Sequence, residues 1–180
     1  MLGMVFTEFI EMVEDRFSPE VADAILSAAE LPHGGAYTAV GYYPHEEIVR
    51  LVGLLSAQTQ MPAVDLVRAF GEHLLGRFTV LYPQMFSRHT NLLDFLASID
   101  GEIHVEVRKL YPDAQLPRFS ILSRSPDHIA LFYQSPREMD ALAEGLMLGA
   151  IRHFGVPHRL TRRAGMHEGQ PGIVFDVHRE

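Results

Sequence analysis

Apolar positions along this chain change period about two-thirds of the way to its end. In the first part they recur every three or four residues. Val5, Phe9, Met12 and Val13 mark an amphipathic opening helix. Ser18-Pro19-Glu20 reads as the next helix start, with Ser18 as N-cap and Pro19 at a first position where its missing N–H costs nothing. Ile25, Leu26 and Ala29 continue that helix, and Leu31 to Ala36, with two consecutive glycines, reads as a loop. A third helix is expected from near His45, carrying Ile48, Val49, Leu51, Val52, Leu54 and Leu55. A fourth runs from about Pro62 through Leu66, Val67, Phe70 and Leu74 towards Phe78. Pro83 breaks the chain, and Asn91 to Ile99 forms a further apolar helix.

The last third shortens its period. Phe119 to Ser123 and His128 to Tyr133 are β-like runs around the turn signal Ser125-Pro126-Asp127. Pro136 to about Phe154 reads as helix, with Pro136 near its first position and Gly155 as its stop. Val156 to Arg162 and Gly172 to Val177 form a second strand pair. The pattern predicts an α+β protein: a helical N-terminal lobe, then strand-strand-helix-strand-strand. One segment stands apart. Ile103, Val105 and Val107 alternate with Glu102, His104 and Glu106, which by periodicity alone is a strand.

Composition narrows the function classes. With 180 residues, 47% of them apolar, the chain suits one domain or one domain of two lobes, with enough apolar material to line an internal pocket. A net charge of −8 argues against broad binding to nucleic acid or anionic membrane. Arg152, Arg159, Arg162 and Arg163 cluster late in the chain, but no aromatics interleave there as in a single-strand binder. There is no cysteine, which removes disulfides, thiolate metal sites and cysteine nucleophiles together. The opening residues lack the basic start and unbroken apolar run of a signal peptide, and no segment approaches the ~18–20 apolar residues of a membrane span. A soluble cytoplasmic protein is expected.

Candidate chemistry is sparse outside one element. Ten histidines are many, yet no His-Glu-x-x-His or His-x-His spacing occurs. No Gly-x-Ser-x-Gly elbow, Gly-x-Gly-x-x-Gly loop or Walker motif is present. The distinctive element is Tyr133-Gln134-Ser135-Pro136-Arg137. In an extended stretch Tyr133, Ser135 and Arg137 share one side and present two hydroxyls and a guanidinium fork, a set suited to a pair of carboxylates. The plainer alternative is a strand end with Ser135 as helix cap and Arg137 solvated.

Tyr-x-Ser-x-Arg resembles the propionate-binding motif of the H-NOX (haem-nitric oxide/oxygen binding, HNOB) family. The likeness extends to His104 at the place of the proximal histidine and to Pro117, thirteen residues on, at the place of the proline that presses on the haem. It also covers the opening Met1 to Phe6, the Phe78…Tyr82-Pro83-Gln84-Met85-Phe86 block and the helix after Arg137. The resemblance implies a helical segment around His104, against the strand periodicity. It implies a single haem-binding domain, with a helical distal subdomain over about 1–62 and a proximal subdomain over about 63–180 holding a four-stranded antiparallel sheet.

For the site, the resemblance implies haem b, with His104 as the iron ligand and Tyr133, Ser135 and Arg137 on the propionates. By offset, the position of the distal tyrosine of oxygen-binding relatives falls at Leu142, that of its polar support at Leu74 and that of a distal aromatic at Phe9, with Val5, Phe78 and Leu146 as further apolar wall. His73 is the neighbour of Leu74. A wall without a donor cannot stabilise the charge that builds on dioxygen, whereas nitric oxide and carbon monoxide depend far less on one. The expectation is a non-enzymatic, stand-alone bacterial sensor of nitric oxide and carbon monoxide that excludes oxygen. Its switch would be release of the proximal bond and relaxation of a haem held bent by Pro117. The partner implied is a separate sensor histidine kinase or a cyclic-di-GMP synthase or phosphodiesterase. Two readings from other classes stand beside it: a metal-dependent hydrolase using His and carboxylate ligands, and a haem-free module that docks a small ligand or a protein.

Overall fold

A computed structural model describes all residues, Met1–Glu180. The chain runs through helices α1 (Gly3–Arg16), α2 (Pro19–Ala28), α3 (His45–Thr59), α4 (Ala63–Leu81), α5 (Pro83–Ser87) and α6 (Leu92–Ser98), then a π-helical turn (Ile99–Ile103) and α7 (His104–Leu110). Strands β1 (Arg118–Ser125) and β2 (His128–Gln134), helix α8 (Asp140–Phe154) and strands β3 (His158–His167) and β4 (Gln170–Arg179) complete it. The architecture is α+β, with one four-stranded antiparallel sheet in the order β1-β2-β4-β3.

Local chemistry sets several ends. The Ser18 hydroxyl accepts from the Val21 amide at 3.3 Å, with Pro19 at the first position of α2. The Asn91 side chain accepts from the Asp94 amide at 2.9 Å and opens α6. Gly155 takes φ +71° at the end of α8, a left-handed conformation in which a Cβ is strained.

Two expectations shift. The helix anticipated from Pro136 begins only at Asp140. The Ser135 hydroxyl accepts from the Arg137 amide at 3.2 Å, and Glu138 adopts φ +48°, so the backbone turns before it can coil. Pro83 ends α4 as expected but also starts the short α5, because a proline fits a first helical position. The alternating segment 102–108 is helical. His104, not its apolar neighbours, is the buried member, and Val105 stays 39% exposed.

Burial divides into two main cores. The first joins α1, α2 and α3 to Leu66, Phe70 and Leu74 of α4. The second joins Leu75 of α4 to α5, α6, α8 and one face of the sheet, through Ile129, Leu131, Tyr133, Phe175 and Val177. The split falls between adjacent residues of a single helix, so α4 is the shared beam. It lies tight against α8: a Cβ added at Gly71 would stand 2.8 Å from the Gly145 Cα. The opposite sheet face carries His128, Ala130, Phe132, Val174, Asp176 and His178. No helix is long and apolar enough to cross a membrane.

Candidate functional site

Between the two cores lies a cavity of about 280 Å³ whose 34 lining residues include 28 hydrophobic ones. Such a slot suits a large apolar guest gripped by a few polar groups. The helices α1, α4 and α8 supply Val5, Leu74, Phe78, Leu142 and Leu146, and none of these side chains offers a hydrogen-bond donor. Phe9 is not part of the wall. It is fully buried one layer behind, edge-on to Phe70 with ring centroids 5.3 Å apart. His73 does not line the cavity either. Its Nε2 stands 3.5 Å from Glu8 Oε2, the same carboxylate oxygen that accepts from Arg77 Nε at 2.8 Å.

The first residue of α7, His104, also lines the cavity and is 8% exposed. Its Nδ1 lies 3.2 Å from Asp100 Oδ1 in the π-helical turn just upstream. That turn widens the helix by one residue, a distortion that recurs at functional sites. Burial lowers the imidazole's pKa below its ordinary value, with Asp100 opposing. A neutral ring donating from Nδ1 to a carboxylate leaves the Nε2 lone pair unprotonated and free, as a metal ligand requires. Asp100 is thus the acceptor that sequence reasoning could not name. The clue was its spacing of four from His104 on what proved to be a helical segment.

Tyr133, Ser135 and Arg137 all line the same cavity, although β2 ends at Gln134 and the last two sit in the turn beyond it. Burial pushes the Tyr133 phenol up, against the pull of the nearby Ser135 hydroxyl and the Met139 backbone. Arg137 is held at the rim by Gln115: one terminal nitrogen donates to the Gln115 carbonyl at 3.2 Å and the other to Oε1 at 2.9 Å. Gln115 and Pro117 belong to the loop between α7 and β1, and both line the cavity. The Met1 ammonium donates to the Tyr43 carbonyl at 2.6 Å. Burial lowers its pKa, and the positive charge of Arg137 adds to that.

Pattern reading also passed over a tyrosine pair on the cavity wall. Tyr82 and Tyr111 share a hydroxyl hydrogen bond of 3.0 Å, and burial drives the Tyr82 phenol well above its usual range. Each hydroxyl is therefore engaged with its neighbour.

Together these features match an iron porphyrin: an apolar slot for the disc, a neutral imidazole with a bare nitrogen for the metal, and two hydroxyls with a guanidinium for acidic tails. A metal-dependent hydrolase finds less support. The one triplet of ligand-type side chains brought together is His128, Asp176 and His178, on the sheet face that the cavity does not touch.

The profile of a protein family described as Haem-NO-binding matches residues 2–161. No curated protein matches the chain. Among solved structures, the unliganded Fe(II) H-NOX protein from K. algicida is similar over 100% of this chain and 97% of its own, with 34% identity and a TM-score of 0.93. The H-NOX of Shewanella woodyi, solved in the Fe(II)CO ligation state with IWP-051 bound, shares 37% identity over 100% of this chain and 95% of its own, with a TM-score of 0.85. An S. oneidensis H-NOX in the Fe(II)NO ligation state shares 27% identity over 100% and 99%, with a TM-score of 0.91.

Proposed function

This chain belongs to the Haem-NO-binding (H-NOX) family, and from that premise we propose that it is a non-enzymatic sensor that holds haem b and responds to nitric oxide and carbon monoxide but not to oxygen. The observation that carries the reading is His104, buried on the cavity wall with Nδ1 tied to Asp100 and Nε2 free. Bound iron porphyrin supplies the metal at which a diatomic gas coordinates.

The protein's part is to hold, orient and exclude. His104 offers one nitrogen, and Asp100 fixes its tautomer and ring plane. Arg137, Tyr133 and Ser135 would hold the acidic tails of the porphyrin, and Pro117, on the cavity wall in the α7–β1 loop, would bear on its disc. Val5, Leu74, Phe78, Leu142 and Leu146 keep water out and withhold the donor that charge building on oxygen needs. Nitric oxide and carbon monoxide solved-state relatives fit that choice of ligand.

Signal transfer would follow from the wall's position. Phe78 and Leu146 pack against both cores, so a change at the cavity bears on both cores at once. The output would pass to a separate signalling partner, a sensor histidine kinase or a cyclic-di-GMP synthase or phosphodiesterase, the classes that the family resemblance implies.

An absorption spectrum of the reduced protein tests this directly. A Soret band that moves with nitric oxide and with carbon monoxide, and stays put in air, is expected. A colourless protein refutes haem binding, and a stable oxy spectrum in air refutes exclusion of oxygen. His104→Gly should lose the axial bond and regain it with added imidazole.

A further inference from the structure

We propose a second metal site, for a divalent transition ion, on the outer face of the sheet, formed by His128, Asp176 and His178. It is independent of the haem cavity, whose lining includes none of the three.

Strand register builds the site. His128, the first residue of β2, pairs directly with His178 on β4. Asp176 lies two residues before His178, so period-two alternation puts all three side chains on one face. The two imidazoles stack with centroids 4.0 Å apart and planes 20° from parallel. His128 Nε2 stands 3.2 Å from Asp176 Oδ1. One ligand atom from each residue lies within 4.8 Å of the other two. A tetrahedral zinc with bonds of ~2.0–2.1 Å needs its ligands about 3.3 Å apart. Small side-chain rotations close that gap, and solvent can complete the coordination, because the side chains of His128 and Asp176 keep 23% and 21% of their exposure.

The chemistry selects the ion. Two imidazoles and one carboxylate suit zinc, cobalt, nickel or copper, whereas magnesium and calcium favour all-oxygen sets. Beside the triplet, Ala130, Phe132 and Val174 are buried and form an apolar floor that limits water on one side. The neighbouring groups are known on every strand. Arg163 on β3 reaches Asp176 Oδ2 at 3.6 Å, leaving Oδ1 for the ion. Thr161 pairs with Asp176 and Arg159 with His178 across β3, and Ser125 pairs with His128 across β1. Two arginines beside the site hold its affinity below that of a closed structural zinc centre.

The test uses zinc and the 180-residue chain as purified. Equilibrium dialysis with elemental analysis should find one zinc per chain that excess magnesium does not displace and mild acid does, since protonated imidazole cannot ligate. His128→Ala, His178→Ala and Asp176→Ala should each weaken binding by about tenfold or more, because even losing an outer-shell partner costs that much. His158→Ala and His167→Ala should leave it unchanged. X-ray absorption at the zinc edge of the unmutated protein should show two imidazole ligands, a readout that survives if a variant fails to fold. Absence of binding, binding indifferent to the three substitutions, or fewer than two imidazoles at the zinc overturns the proposal.

Discussion

Asp100 Oδ1 lies 3.2 Å from His104 Nδ1, and the Phe119 amide nitrogen is 3.4 Å from the same oxygen. One carboxylate therefore ties the π-helical turn to the start of α7 and to β1, and it sets which nitrogen of the buried imidazole is bare. Without it, the ring could rotate or take the other tautomer.

Asp100→Ala should loosen the axial bond without emptying the slot. The affinity of the iron for His104 is expected to fall about 10–100-fold, the usual cost of losing an outer-shell partner. Resonance Raman spectroscopy of the reduced protein would read it as a lower iron–histidine stretching frequency. An unchanged frequency would mean that Asp100 only caps the helix.

Arg137→Ala tests the rim separately. The guanidinium already has a partner in Gln115, which holds it ready at the cavity mouth. Losing a charge-assisted pair of hydrogen bonds costs about 1.5–3 kcal/mol, or roughly tenfold to a hundredfold in retention. Haem transfer to a scavenger protein should speed up by that factor, while the position of the Soret band stays the same because His104 is untouched.

Sequence alone exposed some of this arrangement and hid the rest, for physical reasons. Helix starts at Ser18 and Asn91 were legible because capping is local. The strands around Ser125-Pro126-Asp127 were legible because turn chemistry is local too. Residues 102–108 misled, since the alternation of valines there meets a solvent-facing helix, and only the family likeness gave the right state. The start of α8 was lost to a side-chain-to-backbone bond at Ser135 that no periodicity encodes. Phe9 shows the limit of offsets: position in the chain put it at the pocket, whereas packing on Phe70 puts it behind the wall. Asp100, Gln115 and the Tyr82–Tyr111 pair become meaningful only once the chain has brought separated segments together.

Leu142→Tyr tests the argument from the apolar wall. Leu142 lines the cavity from α8, and no neighbour there supplies a donor from α1 or α4. Installing a phenol should give a stable oxy spectrum in air where the unmutated protein gives none, because a positioned hydroxyl in an enclosed site stabilises developing negative charge. Leu142→Phe adds the ring without the hydroxyl and should leave the spectrum air-insensitive. An identical response from the two variants would show that shape, not hydrogen bonding, governs the choice of gas.

Gly145→Ala probes the contact that joins the cavity to the lobes. A Cβ at Gly145 would collide with the Arg68 carbonyl and come within 2.9 Å of the Gly71 Cα, and neither is the end of a flexible side chain. The two helices must therefore separate. Overpacking of this kind costs about 1–3 kcal/mol, and more where backbone is the obstacle. Separation would also carry Leu142 and Leu146 away from Leu74 and Phe78, which line the same wall. The expected result is a lower Tm together with a change in gas dissociation rate, although Gly145 is not among the cavity-lining residues. Gly53→Ala is the matching control: nothing lies within 4 Å of its added Cβ, so the same substitution in the middle of α3 should leave the gas kinetics in place and raise Tm slightly, by the ~0.5–1 kcal/mol that alanine adds to a helix interior. A Gly145→Ala protein with wild-type Tm and gas kinetics would show that α4 and α8 can part without cost, and that their contact does not set the cavity's shape.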